Sequence, residues 1–352
     1  MISAVNLIHS TNPPPIISVS YAICEAAAGI NFDLSISGLW QQAAAEGISV
    51  IVGSADGGAS GCGGAVGDSS PAINGIGVSA LASTPYNLAV GGTDFSDTVD
   101  GTNGTYWRAT NSPTLESAKS YIPEIPWNSS CASSVLYSYF GYSSGTAFCN
   151  SALGSNWLEM LAGSGGPSAV NAKPSWQSGV LGIPSDGVRD IPDVSLFSAT
   201  GIYNHALILC VSDSTPCVYS NPTDALFSAN GGTSFAAPMF AGIQALINQW
   251  AGSRQGNPAY TLYKLAAAEY GTNESPNSAN VVACNSAAGD AAGNCTFHDI
   301  TRGDNDVVCV AGSPNCYATP GATYGVLSTS SNSLGVAFPA TPGWELSTSP
   351  TW

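Results

Sequence analysis

Basic side chains are scarce in this sequence. Lys and Arg total 7 in 352 residues against 23 Asp and Glu, a formal net charge of -16. A chain this poor in cations cannot neutralise a row of phosphates, which argues against a nucleic-acid partner. An anionic membrane surface is disfavoured for the same reason. Charge of either sign is thin, at 9% of residues. Because 44% are hydrophobic, intrinsic disorder is excluded and a sizeable core is expected. No run is long and apolar enough to span a bilayer. Met1–Asn6 lacks the basic start and following apolar stretch of a signal peptide. C-x-x-C pairs are absent too, so a zinc ribbon or thioredoxin-type motif has no support.

Cysteines are nonetheless present, and their number is even, at 10. Neighbours in sequence would close short loops: Cys24 with Cys62, Cys131 with Cys149, Cys210 with Cys217, Cys284 with Cys295, Cys309 with Cys316. Sequence does not fix the connectivity, and nearest-neighbour pairing is the working expectation. Local staples of this kind suit an oxidising compartment. The protein is therefore expected to be secreted, and the chain to be an internal piece of a longer secreted precursor. The acidic, Lys-poor balance suits an acid milieu, where carboxyls lose charge and few cations repel one another. A bland secreted surface explains it equally well.

Residues 15–21 read as a buried strand, 34–46 as a helix stopped by Gly47, and 48–52 as a second strand entering a small-residue loop. Strand, helix, strand with short joints predicts a right-handed unit and a parallel sheet. Leu88-Ala89-Val90 reads as another strand. Residues 95–180 show little periodicity and are expected as long surface loops. Residues 203–230 read as hairpins. Thr233 to Trp250 reads as a helix with Phe235, Met239, Ile243, Leu246 and Ile247 on one apolar face, followed by a helix over 258–269.

Ser234 stands at the start of that helix, in Gly231-Gly232-Thr233-Ser234-Phe235-Ala236-Ala237-Pro238. The first backbone N–H groups of a helix lack partners and its dipole is positive there, so developing negative charge is stabilised. The bland reading is that Ser234 only caps the helix. Asp56, in Gly53-Ser54-Ala55-Asp56-Gly57-Gly58-Ala59, is either a functional acid or a loop residue capping its own turn.

The longer pattern Gly-Thr-Ser-x-x-x-Pro before an apolar helix resembles the nucleophile segment of the subtilisin-like clan. Gly231 to Gln249 most resembles the sedolisins, the serine-carboxyl peptidases. Ser18-Val19-Ser20-Tyr21 with Cys24-Glu25, the Gly53–Ala59 loop, Ala82 to Thr93, Gly163 to Gln177 and Pro192-Asp193-Val194 resemble further segments of that family, in order. Ordinary subtilisins need a His in a His-Gly-Thr context, which His9, His205 and His298 all lack. His9 reads as a helix-surface residue and His205 as a hairpin residue.

The resemblance implies an α/β fold, a subtilisin-like parallel sheet flanked by helices, as one domain over 1–352 with long loops. It implies an acid-acting serine endopeptidase with Ser234 as nucleophile and Asp56 in the oxyanion hole. A carboxylate cannot donate, so Asp56 must be protonated to act. Ser18, Val19, Ser20 and Tyr21 would bind substrate backbone as an added strand. Ala22 follows where the family usually has Gly. The family's Glu base, oriented by an Asp four residues later, falls before the Ser18–Tyr21 segment. No Glu occurs here before Glu25, and no Asp before Asp33. Glu25 itself reads as structural. The chain is expected to begin downstream of that pair and of the propeptide, and its activity as it stands is left open.

The resemblance also implies one structural calcium ion. Its ligands would be Asp299 and Glu345 through their carboxylates, and Ile300, Thr341 and Gly343 through their carbonyls. Glu345 replaces the family's usual Asp, and Thr341 its usual Gly. Asp304 and Asp306 do not continue as an EF-hand and read as a solvated loop. The expected partner is a peptide or protein substrate, with no nucleic acid and no membrane, and the expected state is a monomer. The alternative reading is a non-catalytic secreted module binding peptide or carbohydrate on a degenerate peptidase scaffold.

Overall fold

The computed structural model describes residues 2–112, 116–213, 217–218, 228–292, 294–330, 334–349 and 351. The expected hairpins over 203–230 lie partly outside the described residues. At their flanks, Leu207–Leu209 pairs antiparallel with Ser228–Asn230.

Ile16–Val19 (β1) runs parallel to Ser49–Gly53 (β2), with Ile17 opposite Val50 and Val19 opposite Val52. Next to β2 lies Leu88–Phe95 (β3), also parallel. β3 then pairs antiparallel with Glu124–Pro126 (β4) and parallel with Val194–Phe197 (β5). Every residue of β2 is buried. That follows from helices covering both faces, which also explains its unbroken Val-Ile-Val run.

Alternation along the strands sends side chains to opposite layers. Val50, Val52 and Ala89 meet Ile36, Leu39, Trp40 and Ala43 of helix α1 (Ile30–Ala45). Ile51, Leu88, Val90 and Val194 meet Ala236, Ala237 and Phe240 of α2 (Thr233–Ala251) and Leu262 and Tyr263 of α3 (Ala259–Tyr270). Burying one such Leu or Phe contributes about 1.5–3 kcal/mol. α1 starts earlier than expected, with Gly29 at its N-cap.

Three expectations are corrected. The buried face of α2 is Ala236, Ala237, Phe240 and Gln244, while Met239 and Leu246 are 37% and 66% exposed. Small residues face the sheet because the helix lies very close to it. A Cβ added at Gly53 would stand 2.9 Å from the Thr233 carbonyl oxygen. Second, residues 95–180 are more than surface loop: Trp127, Leu136 and Phe148 are fully buried. Leu136 and Phe148 form a separate apolar cluster with Ile125, Val308 and Val326. Their short, irregular elements carry no period that a sequence reading could detect. Third, Asp304 and Asp306 are 1% exposed rather than solvated. Asn128 and the Ser134 N–H bond the Asp304 carboxylate, which draws this loop inside.

All five cysteine pairs are disulfides in nearest-neighbour order. Among the described residues, no helix is long and apolar enough to cross a membrane.

Candidate active site

The C-terminal ends of β1 and β2 and the N-terminus of α2 meet at one cleft of about 240 Å³. It is lined by Ser20, Tyr21, Ala22, Asp56, Asp68, Thr233 and Ser234, among others. Ser234 is the second residue of α2. The N-cap position belongs to Gly232, which provides no side-chain cap, so Ser234 is not there to cap the helix. Its hydroxyl stands where the helix dipole is positive. Gly232 has φ +113°, and a Cβ there would stand 2.7 Å from Asp56 Oδ2. Only glycine permits that approach.

Asp56 is fixed by its neighbour across the cleft. The Thr233 N–H donates to Asp56 Oδ1 at 2.7 Å, and the Thr233 hydroxyl donates to the same oxygen at 2.9 Å. That hydroxyl in turn accepts from the Ala55 N–H at 3.2 Å. Ala55 holds φ +102°, an uncommon conformation for a residue with a Cβ. Two further bonds pin the loop: Ser164 N–H to the Ala55 carbonyl, and Ala162 N–H to the Asp56 carbonyl, at 2.9 and 3.0 Å. Burial raises the Asp56 pKa above the usual carboxyl range, the Thr233 bonds oppose this, and the nearby Asp68 carboxylate adds to it. With two donors on Oδ1, a proton on Asp56 resides on Oδ2, the oxygen nearer Gly232. A protonated Asp56 is thus a donor aimed beside the helix N-terminus.

Ser18 and Ser20 are exposed, Tyr21 is 72% exposed, and Val19 is half-buried. β1 closes one end of the main sheet, so its outer edge has no strand partner among the described residues. Ser20 Oγ donates to the Ser234 carbonyl at 2.7 Å, which ties this strand end to the helix carrying Ser234. The structure therefore brings Ser234, Asp56, Ser20 and Tyr21 together at the cleft. Thr233 and Asp68 also line the cleft, and neither is a sequence expectation. The Gly-Thr-Ser pattern could have pointed to Thr233, whereas nothing local marks Asp68.

Of the calcium candidates, Asp299, Gly343 and Glu345 lie near one another, outside the cleft. Asp299 is fully buried; its Oδ1 accepts from the Gly343 N–H at 3.0 Å and its Oδ2 has no partner. Burial, then the proximity of Glu345, pushes Asp299 up to about 7. Glu345 folds back on its own turn, accepting from the Ser347 N–H and from the Thr348 N–H and hydroxyl. Burial pushes it up to about 6 despite those donors. Ile300 is buried and Thr341 exposed.

The other singled-out residues fall outside the cleft. Glu25 is buried and accepts from Ser83, Ser168 and the Ala169 N–H, a structural role. His9 is exposed and contacts Gln42. His205 is 8% exposed, with Asp94 and Asp97 at 3.2 and 3.1 Å from its two ring nitrogens. It is a buried, ion-paired residue rather than a plain hairpin position.

No protein-family model matches the chain. The sequence is 29% identical over 265 residues to sedolisin from Pseudomonas sp. (strain 101), covering 74% of this chain and 34% of that protein. Over 187 residues it is 30% identical to xanthomonalisin from Xanthomonas sp. (strain T-22), covering 53% and 16%. Its fold matches Pseudomonas sedolisin, a serine-carboxyl proteinase solved with two molecules of pseudo-iodotyrostatin. That match has a TM-score of 0.54 at 22% identity and covers 96% of this chain and 62% of the other. The mixed α/β architecture with its mainly parallel sheet is thus of the subtilisin-like class. The sequence matches support membership of the sedolisin family. The chain spans about a third or less of the length of the curated relatives it matches.

Proposed function

We propose that this chain carries the nucleophile and oxyanion side of a serine-carboxyl endopeptidase site. One observation carries the reading. Thr233 N–H and Oγ1 lock Oδ1 of Asp56 at the N-terminus of the helix that presents Ser234, in a shared cleft. In the reaction, Ser234 Oγ attacks a peptide carbonyl and the amine leaves, forming an acyl-enzyme that water hydrolyses. Oδ2–H of protonated Asp56 donates to the oxyanion that develops in between. Substrate backbone lies along Ser18, Val19, Ser20 and Tyr21 at the open edge of β1. Activity in acid follows, because Asp56 donates only below its raised pKa.

The serine proton needs an acceptor. Among the described residues lining the cleft, the carboxyls are Asp56 and Asp68, and the Glu base implied by the resemblance is not one of them. Turnover by this chain alone is therefore expected to be weak, since losing a member of such a set costs several orders of magnitude. The same observation favours the second reading, a secreted peptide-binding module on a peptidase scaffold.

One calcium ion would be held by Asp299 and Glu345 with the Ile300, Thr341 and Gly343 carbonyls. The partnerless Asp299 Oδ2 and the closeness of two buried acids fit a hard cation. The ion would supply structural charge compensation only.

Affinity for a peptide aldehyde in acid, which reads the serine and the oxyanion site without turnover, tests the reading. Wild type should bind the aldehyde more tightly than the matching alcohol, and Ser234→Ala should lose that difference. Peptide binding with no Ser234-dependent preference for the aldehyde would favour the binding module.

A further inference from the structure

Asp68 lines the Ser234 cleft and has no assigned part in acyl transfer. It ends the strand Ala65–Asp68, and its backbone carbonyl accepts from the Met160 N–H at 2.8 Å, which anchors its position. Its carboxylate stands close to the oxyanion loop: a Cβ added at Gly57 would be 3.2 Å from Asp68 Oδ1. Among the described residues it makes no ion pair. None of the other residues lining the cleft is Lys, Arg or His. The titratable groups sharing the space are Asp56 and Tyr21. Asp56 is spoken for by Thr233, and Tyr21 projects largely into solvent.

A partly buried carboxyl with neither a cation nor a hydrogen-bond donor among the described residues is costly to hold charged. Burial does raise the Asp68 pKa. Such a group is relieved by a cation brought from outside. The cleft walls offer it little else: Ala22, Gly53 and Ala55 are small and apolar, and Ser20 and Thr233 are engaged elsewhere. This chain has only 7 cationic side chains of its own, so the complementary charge is a property of the ligand.

We infer that Asp68 selects a substrate bearing a Lys or Arg side chain on the residue whose carbonyl is presented to Ser234. The inference rests on the peptidase reading above and adds the side-chain class that the cleft prefers. Asp68 acts on specificity and takes no proton from Ser234.

Two peptide aldehydes that differ only in the final residue test it, one ending in lysinal and one in norleucinal. Each forms a hemiacetal with an active serine, and norleucine has the lysine stem without the ammonium. Affinities for both aldehydes are measured across about pH 4–7, and the lysinal-to-norleucinal ratio is read where it is largest. A charge-assisted contact should favour lysinal about 10- to 100-fold on the wild-type protein. Asp68→Asn should bring that ratio to about 1, because any change it makes through the Asp56 proton affects both aldehydes alike, and an unchanged urea midpoint shows that the variant is folded. Asp68→Glu should retain a preference for lysinal. Equal affinity on the wild type, or a ratio that survives Asp68→Asn, overturns the inference while leaving the peptidase reading intact. If neither aldehyde binds the wild type more tightly than Ser234→Ala, the peptidase reading fails and this inference with it.

Discussion

The proton on Asp56 is the sharpest point of the proposed chemistry. Asp56→Asn replaces a titrating donor by a permanent one. The amide oxygen can still accept from Thr233 N–H and Oγ1, now at 2.7 and 2.9 Å from Oδ1, leaving the amide nitrogen in the position of Oδ2. Wild-type affinity for a peptide aldehyde should hold at low pH, where Asp56 is protonated. It should fall as pH rises through the Asp56 pKa, which burial and Asp68 lift above the ordinary range. The limiting slope is about tenfold per pH unit for a single proton. In Asp56→Asn that fall should vanish. Asp56→Ala removes the donor altogether and should weaken hemiacetal formation by about 10²–10³, the usual effect of one lost oxyanion donor. Aldehyde affinity is the right assay because it reads the oxyanion directly and needs no base for turnover. The reasoning is refuted if Asp56→Asn keeps the wild-type pH profile, or if Asp56→Ala binds as well as wild type at about pH 4.

Other outcomes follow from neighbouring groups. Thr233→Val keeps the shape but removes the hydroxyl that stabilises ionised Asp56 and serves the Ala55 N–H. The fall in aldehyde affinity should then shift to higher pH, and urea titration should show a loss of about 1–3 kcal/mol from the unpaired donor. Asp304, raised to about 6 by burial, binds a proton more tightly folded than unfolded. Its contribution of about 3 kcal/mol is full below about pH 4 and is lost as pH rises through about 6, so the urea midpoint should drop over that window. Asp306, raised well above the ordinary range by burial and by Asp304, adds its own share to this loss, and Asp306→Asn should remove that share and flatten the drop. His205 is raised by Asp94 and Asp97 against the opposing effect of burial. Its ion pairs should stabilise the fold below about pH 6.5 and lose that effect as pH rises through the raised value, and His205→Gln should remove this limb of the melting curve.

Much of this geometry was legible in the sequence because local rules suffice for it. The β-branched runs at 15–21 and 48–52 became paired parallel strands since a short helix between them leaves little choice of hand. Ser234 could be placed at a helix start from the glycines and the apolar stretch after it. Cysteine pairing followed order because each partner is the near one. What escaped depends on distant contacts. Burial of Asp304 is decided by Asn128 and Ser134, far away in the chain. The inner face of α2 departs from the hydrophobic periodicity because closeness to the sheet decides it: Ala236 and Ala237 win the sheet contact over Met239 and Leu246 by being small. Asp68 carries no motif at all and gains meaning only from the cleft it borders.

The scarcity of cations and the burial of acids belong to one physical account. Asp56, Asp299, Asp304, Asp306 and Glu345 are all raised, with burial the largest cause for each. With so few Lys and Arg available, ion pairing cannot be the general means of neutralising them. Two means remain, a bound proton or a bound cation. Protonation serves Asp56 at the cleft and Asp304 with Asp306 in the buried loop near Asn128, and each of these gains from acid. A cation would serve Asp299 and Glu345 in the proposed calcium site, and because both carboxyls must lose their protons to bind it, its hold would weaken in acid. A fold built this way ties its integrity to the same proton that the proposed chemistry requires, so conditions that charge Asp56 also load the core with unpaired carboxylates. Adding a surface lysine could not repair that, because the deficit lies inside.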